Sequence, residues 1–243
     1  MANNEKLRVE VWSDIVCPFC YIGKKNYEKA LSDFGSKDDI VLEFKSFQLD
    51  PDFRQDPGKR HDLTKSLAQK YRRSEAEIEL MQSQITATAK ASGLTFNFDK
   101  AVTFNTFNAH RLLHIAGEKG LGNTLQEALF TAYFTLGKDL GDPEVLRAEA
   151  LRVGLTEEDI EKALSGDDYA YKVNQDIQEA GNLGISGVPF FVFNRKYGVS
   201  GAQPPQVFLD TLKAAYEEWE KSKTITLQTV AQGQSCDVDG NCS

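Results

Sequence analysis

The sequence predicts an α/β fold in which a strand–helix–strand unit near the start and a strand–strand–helix unit near the end frame a long helical stretch. Three observations carry this. Residues 7–12 alternate between apolar and polar and then give way, from Pro18, to helical spacing. Between Thr64 and Leu183 almost every segment has helical start, face and stop signals. After Pro189 the apolar run Phe190-Phe191-Val192-Phe193 leads into a second short strand and a proline-initiated helix.

Taken in order, Leu7, Val9 and Val11 alternate with Arg8, Glu10 and Trp12, the period of a strand with one face in a core. From Pro18, Ile22, Tyr27, Ala30, Leu31 and Phe34 interleave with Tyr21, Lys25, Glu28 and Lys29 as far as Gly35, which is helical spacing. Proline suits the first helical turn because its missing N–H would have had no partner there, so the helix starts at the cysteines. Ile40, Leu42 and Phe44 alternate with Val41, Glu43 and Lys45 and form a second strand that ends before Asp50-Pro51.

The helical stretch follows. Ser74 and Glu77 make a capping box ahead of Ile78, Met81 and Ile85, and Gly93 stops that helix. Asn105–Glu118 and Asn123–Leu136 are next, then a helix opened by Asp142-Pro143 and closed by Gly154. Thr156 with Asp159 starts a short helix, and Asp168–Leu183, bearing Val173, Ile177 and Ala180, returns the chain to the sheet. Asn194-Arg195-Lys196 turns into the strand Tyr197–Gly201, and Pro204-Pro205 opens a last helix carrying Phe208, Leu212 and Trp219. The expected division is a core from residues 1–60 and 184–222, an all-helical insertion over 61–183, and a tail over 223–243.

The chemistry sits in Cys17-Pro18-Phe19-Cys20. Sulfurs three residues apart at a helix start share one face and can close a short disulfide. The unpaired N–H groups and dipole of a helix N-terminus favour negative charge by about 0.3–1 kcal/mol. Two packing cysteines or half a zinc site are the alternatives; the preceding strand, the helix start and the proline favour a redox dithiol. Far along the chain, Gly184-Ile185-Ser186-Gly187-Val188-Pro189 forms a rigid turn before a strand, and composition alone does not choose between a cis and a trans peptide.

Cys17-Pro18-Phe19-Cys20 and Gly187-Val188-Pro189, with Val11-Trp12-Ser13-Asp14, the stretch Asn105–Leu112 and Ile185–Phe191, resemble the thioredoxin superfamily in its DsbA-like branch. The likeness spans roughly residues 5 to 221 and is greatest to FrnE-type disulfide oxidoreductases and isomerases, relatives of 2-hydroxychromene-2-carboxylate isomerase. The resemblance implies a thioredoxin-like fold (β-α-β … β-β-α) interrupted by the helical insertion. It implies that Cys17 attacks, Cys20 resolves the mixed disulfide, and Pro18, Phe19, Val188 and Pro189 meet the bound chain. It implies no cofactor beyond the redox-active disulfide, with protein thiols and disulfides, or glutathione as co-substrate, for partners. Strongly oxidising DsbA proteins have histidine between the cysteines where this chain has Phe19. The expected oxidant is therefore weaker than DsbA at about −120 mV.

Other residues add candidates. Asp14 either closes strand one as an Asx turn or relays a proton from Cys20. His110 and His114, four apart on a helix, either share a face toward the thiols or a metal, or simply cap a surface or pack, and no third ligand is evident; His61 is given no role. Cys236 and Cys242 close a polar tail and form a second redox pair, as the resemblance implies, or a passive tail clip, or remain idle thiols. Asp237, Asp239, Gly240 and Asn241 lack the spacing and final glutamate of a calcium loop, and two thiolates without histidines leave a zinc site half empty. No metal is expected.

Composition narrows the class. The 243 residues carry 36 acidic and 28 basic side chains, a net charge of −8 that disfavours nucleic acid and anionic membrane. Met1–Lys6 has no secretory apolar stretch and no run approaches a membrane span, so the expected location is cytoplasmic, where a Cys-x-x-Cys pair is catalytic or sensing. Oligomeric state is not written in the sequence. Three functions fit: a thiol–disulfide oxidoreductase or isomerase, a glutathione-dependent isomerase of the chromene-carboxylate type, and a chaperone-like polypeptide-binding module. Cys17 favours the first, because sequences of the second type usually have serine there.

Overall fold

The computed structural model describes residues 6–54, 56 and 59–223. Strand β1 (Leu7–Ser13) leads to helix α1 (Pro18–Asp33) and returns as β2 (Ile40–Ser46), parallel to β1 with Leu7 opposite Ile40 and Ser13 opposite Ser46. Much later, β5 (Phe190–Phe193) adds antiparallel to the free edge of β1, β6 (Tyr197–Ser200) pairs with β5, and α9 (Pro205–Lys223) closes the chain. The sheet order is β2-β1-β5-β6, which puts the first and last units of the chain side by side.

One face of the sheet carries α1 and α9. Leu7, Val9 and Val11 bury into this layer, where the Tyr27 ring lies 5.7 Å from Phe191 and 6.1 Å from Phe208. The other face of β1 is also covered beyond the exposed Arg8, contrary to the alternation that predicted a strand with a single buried face. Glu10 and Trp12 are fully buried there. Helix α8 (Asp168–Asn182) supplies the cover: the Trp12 indole N–H donates to the Asp176 carbonyl at 2.9 Å. Glu10 meets Arg195 at 2.6 Å, and a charge with a partner can be buried on a face that the pattern marks as polar.

Between the two core units run α2 (Leu63–Tyr71), α3 (Glu75–Ala91), α4 (Phe107–Glu118), α5 (Gly122–Phe130), α6 (Pro143–Arg152) and α7 (Glu157–Ser165). The predicted capping signals form: Ser74 with Glu77 and Thr156 with Asp159 each make reciprocal side-chain to backbone bonds. Two features depart from the expected pattern. A two-residue antiparallel ladder, β3 (His61–Asp62) with β4 (Val102–Thr103), sits within the otherwise helical insert and is too short to show a period. The helix expected over Asn123–Leu136 changes register after Phe130: residues Thr131–Thr135 form a π turn in which the Leu136 N–H donates to the Thr131 carbonyl at 3.0 Å. Such turns often occur at functional sites because they re-aim side chains.

Candidate active site

The chain leaves β1 at Ser13, turns through Asp14–Val16 with the Cys17 N–H donating to the Asp14 carbonyl at 3.1 Å, and enters α1. Cys17 is the N-cap, in extended backbone (φ −88°, ψ 112°), with Pro18 at the first helical position as the sequence predicts. The Cys20 N–H donates to the Cys17 carbonyl at 3.0 Å, so the helix begins between the two thiols. Both thiols are buried and not bonded to each other.

The Cys17 thiol donates to the Val188 carbonyl at 3.4 Å, across 171 positions of sequence, and the Val188–Pro189 peptide is cis. The two motifs picked out in the sequence thus meet at one point. Gly23, one turn beyond Cys20, makes the approach possible: a Cβ there would sit 3.1 Å from Pro189 Cγ and 3.4 Å from the Phe191 ring. Glycine lets the helix and the Pro189 loop touch. On its other side α1 is tied to α5 through Glu127, which accepts from Tyr21 at 2.7 Å and pairs with Lys24 and Lys25, each at 2.7 Å.

Burial pushes the Cys20 thiol well above its ordinary range, and the hydrogen bond and charge of Cys17 push it the same way; the Ser13 hydroxyl and the Asp14 backbone oppose them. Asp14 makes no Asx turn. Its carboxylate accepts the Leu49 N–H at 2.8 Å, pinning the loop after β2, and the other oxygen lies 3.4 Å from His110 Nε2. His114 reaches a different carboxylate, that of Asp176 at 3.1 Å, so the two histidines do not converge. Among the described residues no three His, Cys, Asp or Glu side chains gather around a common point. Cys236 and Cys242 lie outside the described residues.

Cys17, Pro18 and Phe19 form the mouth of a cavity of about 720 Å³. Phe19 is 43% exposed at its rim, and Gly187 and Val188 line the opposite lip. Its walls are Leu63 and Leu67 of α2, Ile78 and Ile85 of α3, and Phe98 and Phe104 of the connecting segment. His61, Gln82, Thr103 and Tyr133 also border it, none of which sequence reasoning marked as functional. Tyr133 comes from the π turn and His61 and Thr103 from the short ladder. The two local irregularities that periodicity could not show therefore feed the same cavity.

A family model, the DSBA-like thioredoxin domain, matches residues 8–213. The probable DsbA oxidoreductase SCO1869 from Streptomyces coelicolor is 36% identical, superposes with a TM-score of 0.80, and covers 98% of both chains. The uncharacterized protein YwbO of Bacillus subtilis is 27% identical over 204 residues, covering 83% of this chain and 94% of its own. A putative protein disulfide isomerase from Nitrosomonas europaea, at 17% identity, shares the fold with a TM-score of 0.63 over 90% of this chain and 99% of its own. A buried thiol pair at a helix start beside a Val-Pro loop, on a sheet of this order and along this length, gives the conclusion: the chain belongs to the DSBA-like thioredoxin-domain family of thiol–disulfide oxidoreductases.

Proposed function

We propose that the protein exchanges disulfides through Cys17 and Cys20, as FrnE-type members of the family do. The observation that carries this is the placement of Cys17: at a helix N-terminus, at the mouth of a large cavity, and 3.4 Å from the Val188 carbonyl. Cys17 thiolate attacks one sulfur of a disulfide RSSR′, forming Cys17–S–S–R and releasing R′S⁻. Cys20, once deprotonated, attacks Cys17 Sγ and releases RS⁻, so the protein loses two electrons and the substrate gains them. The reverse sequence reduces the protein.

The mixed disulfide itself prepares the second step. With Cys17 in a disulfide, its charge no longer opposes ionisation of Cys20, and burial is left to be countered by Ser13 and the Asp14 backbone. Asp14 is the proposed proton relay. Its Oδ1 is buried without a hydrogen-bond partner among the described residues, and His110 stands next to it. Polypeptide thiols and glutathione offer the same reacting group, and this reading covers both.

Trapping tests it. A Cys20→Ser variant incubated with a disulfide should accumulate a mixed disulfide on Cys17, seen by intact mass, whereas Cys17→Ser should form none and lose exchange activity. Undiminished exchange in Cys17→Ser would overturn the assignment.

A further inference from the structure

Helices α2 and α3 form a hairpin along the cavity that Cys17 lines, and the two ends of that hairpin are held differently. At the base, Leu63 and Ala89 are buried in the same apolar cluster as Cys17, and Leu67 and Ile85 pack against it. At the tip the chain turns through Arg72, in left-handed backbone (φ 54°), next to the exposed Tyr71. Among the described residues, Lys70 makes the only side-chain hydrogen bond and ion pair from α2 or α3 to a residue outside 61–92. Its Nζ donates to the Leu49 carbonyl at 3.0 Å and pairs with Asp50 at 3.0 Å. The seat that receives Lys70 is firm. The Leu49 N–H donates to the Asp14 carboxylate at 2.8 Å, and Asn105 Nδ2 donates to the Phe53 carbonyl at 3.0 Å. Residues 47–54 are thereby fixed to the turn that leads to the thiols and to the segment before α4.

This fastening bears on access to the thiol. Cys17 is 4% exposed, the Val188 carbonyl stands 3.4 Å from its sulfur, and the same cavity wall includes Leu49, Asp50 and Lys70. Exchange needs room at Cys17 for both the sulfur attacked and the one that departs. A small disulfide fits a space of about 720 Å³, whereas a polypeptide disulfide, with chain running from both sulfurs, needs the wall to give. The wall gives most easily where it is tied least. Lys70 and Asp50 are 36% and 37% exposed, and an ion pair of that exposure contributes little and is screened by salt, so its loss shifts the balance of closed and open tips only a few fold. Lifting the tip also uncovers Ile78, 1% exposed on α3, which keeps the closed arrangement at rest.

We propose that Lys70 is a gate residue that selects disulfides by size: its contacts to Leu49 and Asp50 hold the hairpin tip down, small disulfides reach Cys17 with those contacts intact, and polypeptide disulfides reach it only when they break. Opening adds no chemical step and changes only which disulfide Cys17 can attack. The selection of substrates rests on the exchange reading, while the gate rests on the contacts of the hairpin alone.

The test compares two uncharged alkylating reagents of one chemistry and unequal bulk, N-ethylmaleimide and a maleimide joined to β-cyclodextrin, with modification of Cys17 read by tandem mass spectrometry of its tryptic peptide. Lys70→Met, which keeps the apolar stem, and Asp50→Asn should each raise the rate of the bulky reagent by about 3- to 10-fold and leave the small one unchanged. Lys70→Arg, which keeps the cation, should keep the parent's ratio. Added salt should speed the bulky reagent in the parent and have no such effect in Lys70→Met. The same variants should speed exchange with an uncharged peptide disulfide and leave exchange with bis(2-hydroxyethyl) disulfide unchanged. An unchanged ratio of the two alkylation rates in both Lys70→Met and Asp50→Asn, including a rise of both rates together, would overturn the gate. A changed alkylation ratio with no exchange of either disulfide would remove the exchange reading and leave the gate standing. Exchange of both disulfides with an unaltered alkylation ratio would remove the gate and leave the exchange chemistry.

Discussion

Gly23→Ala perturbs the point where the helix of the cysteines touches the loop that faces them. Alanine in place of glycine inside a helix normally stabilises by about 0.5–1 kcal/mol. Here the added carbon would stand 3.1 Å from Pro189 Cγ, 3.4 Å from Phe191 Cε2 and 3.5 Å from the Ala202 backbone. Ordinary carbon contacts lie near 3.5–4.0 Å, and overpacking of this kind costs about 1–3 kcal/mol. None of the three neighbours is the free end of a flexible side chain: one is a proline ring whose carbonyl is held by the Gly201 N–H at 2.8 Å, one is a core phenyl ring, and one is backbone. The net loss is therefore about 1 kcal/mol, a fall in melting temperature of roughly 2–4 °C for a chain of this size. The displacement should also part Cys17 from Val188 and slow exchange. Urea denaturation and the second-order rate of oxidation by a disulfide measure the two effects. A variant more stable than the parent, with an unchanged rate, would refute the claim that glycine is there for close approach.

Three other predictions follow from the charge and contact pattern. Glu127→Ala strips Lys24 of one of its two carboxylates and Tyr21 of its acceptor, and should cost about 2–3 kcal/mol in urea denaturation, measurably more than Glu28→Ala. Asp176 resists protonation: burial raises its pKa, but His114, the Ser46 N–H and Lys45 lower it further, to a value below the ordinary 3.8. A lowered carboxyl pKa stabilises the fold above 3.8 and loses that contribution as pH falls through the folded value, so the stability gap between the parent and Asp176→Asn, about 2 kcal/mol at neutral pH, should close as the pH is brought below 3.8. Phe19→His restores a donor between the thiols and should raise the reduction potential toward that of strong oxidants, read by equilibration against glutathione; an unchanged or lower potential would contradict the role given to Phe19.

Much of the fold was legible because its signals are local. Alternation marked β1, β2 and the β5–β6 pair, Pro18 placed the start of α1, and Ser74, Asp142 and Thr156 began helices where their side chains cap them. The dithiol was legible for the same reason, since a proline, a helix start and two sulfurs lie within a few residues. What only the tertiary structure decided depends on partners distant in sequence. Glu10 and Trp12 looked solvent-facing until α8 and Arg195 covered them; Asp14 looked like a local turn former until its carboxylate reached Leu49; and His110 and His114 diverged to separate carboxylates. Thr103 and Tyr133 carry no short-range signal because only the two-residue β3–β4 ladder and the π turn bring them beside the cavity that Cys17 lines. Residue order thus determined the elements and the paired cysteines, whereas packing determined which distant residues surround them.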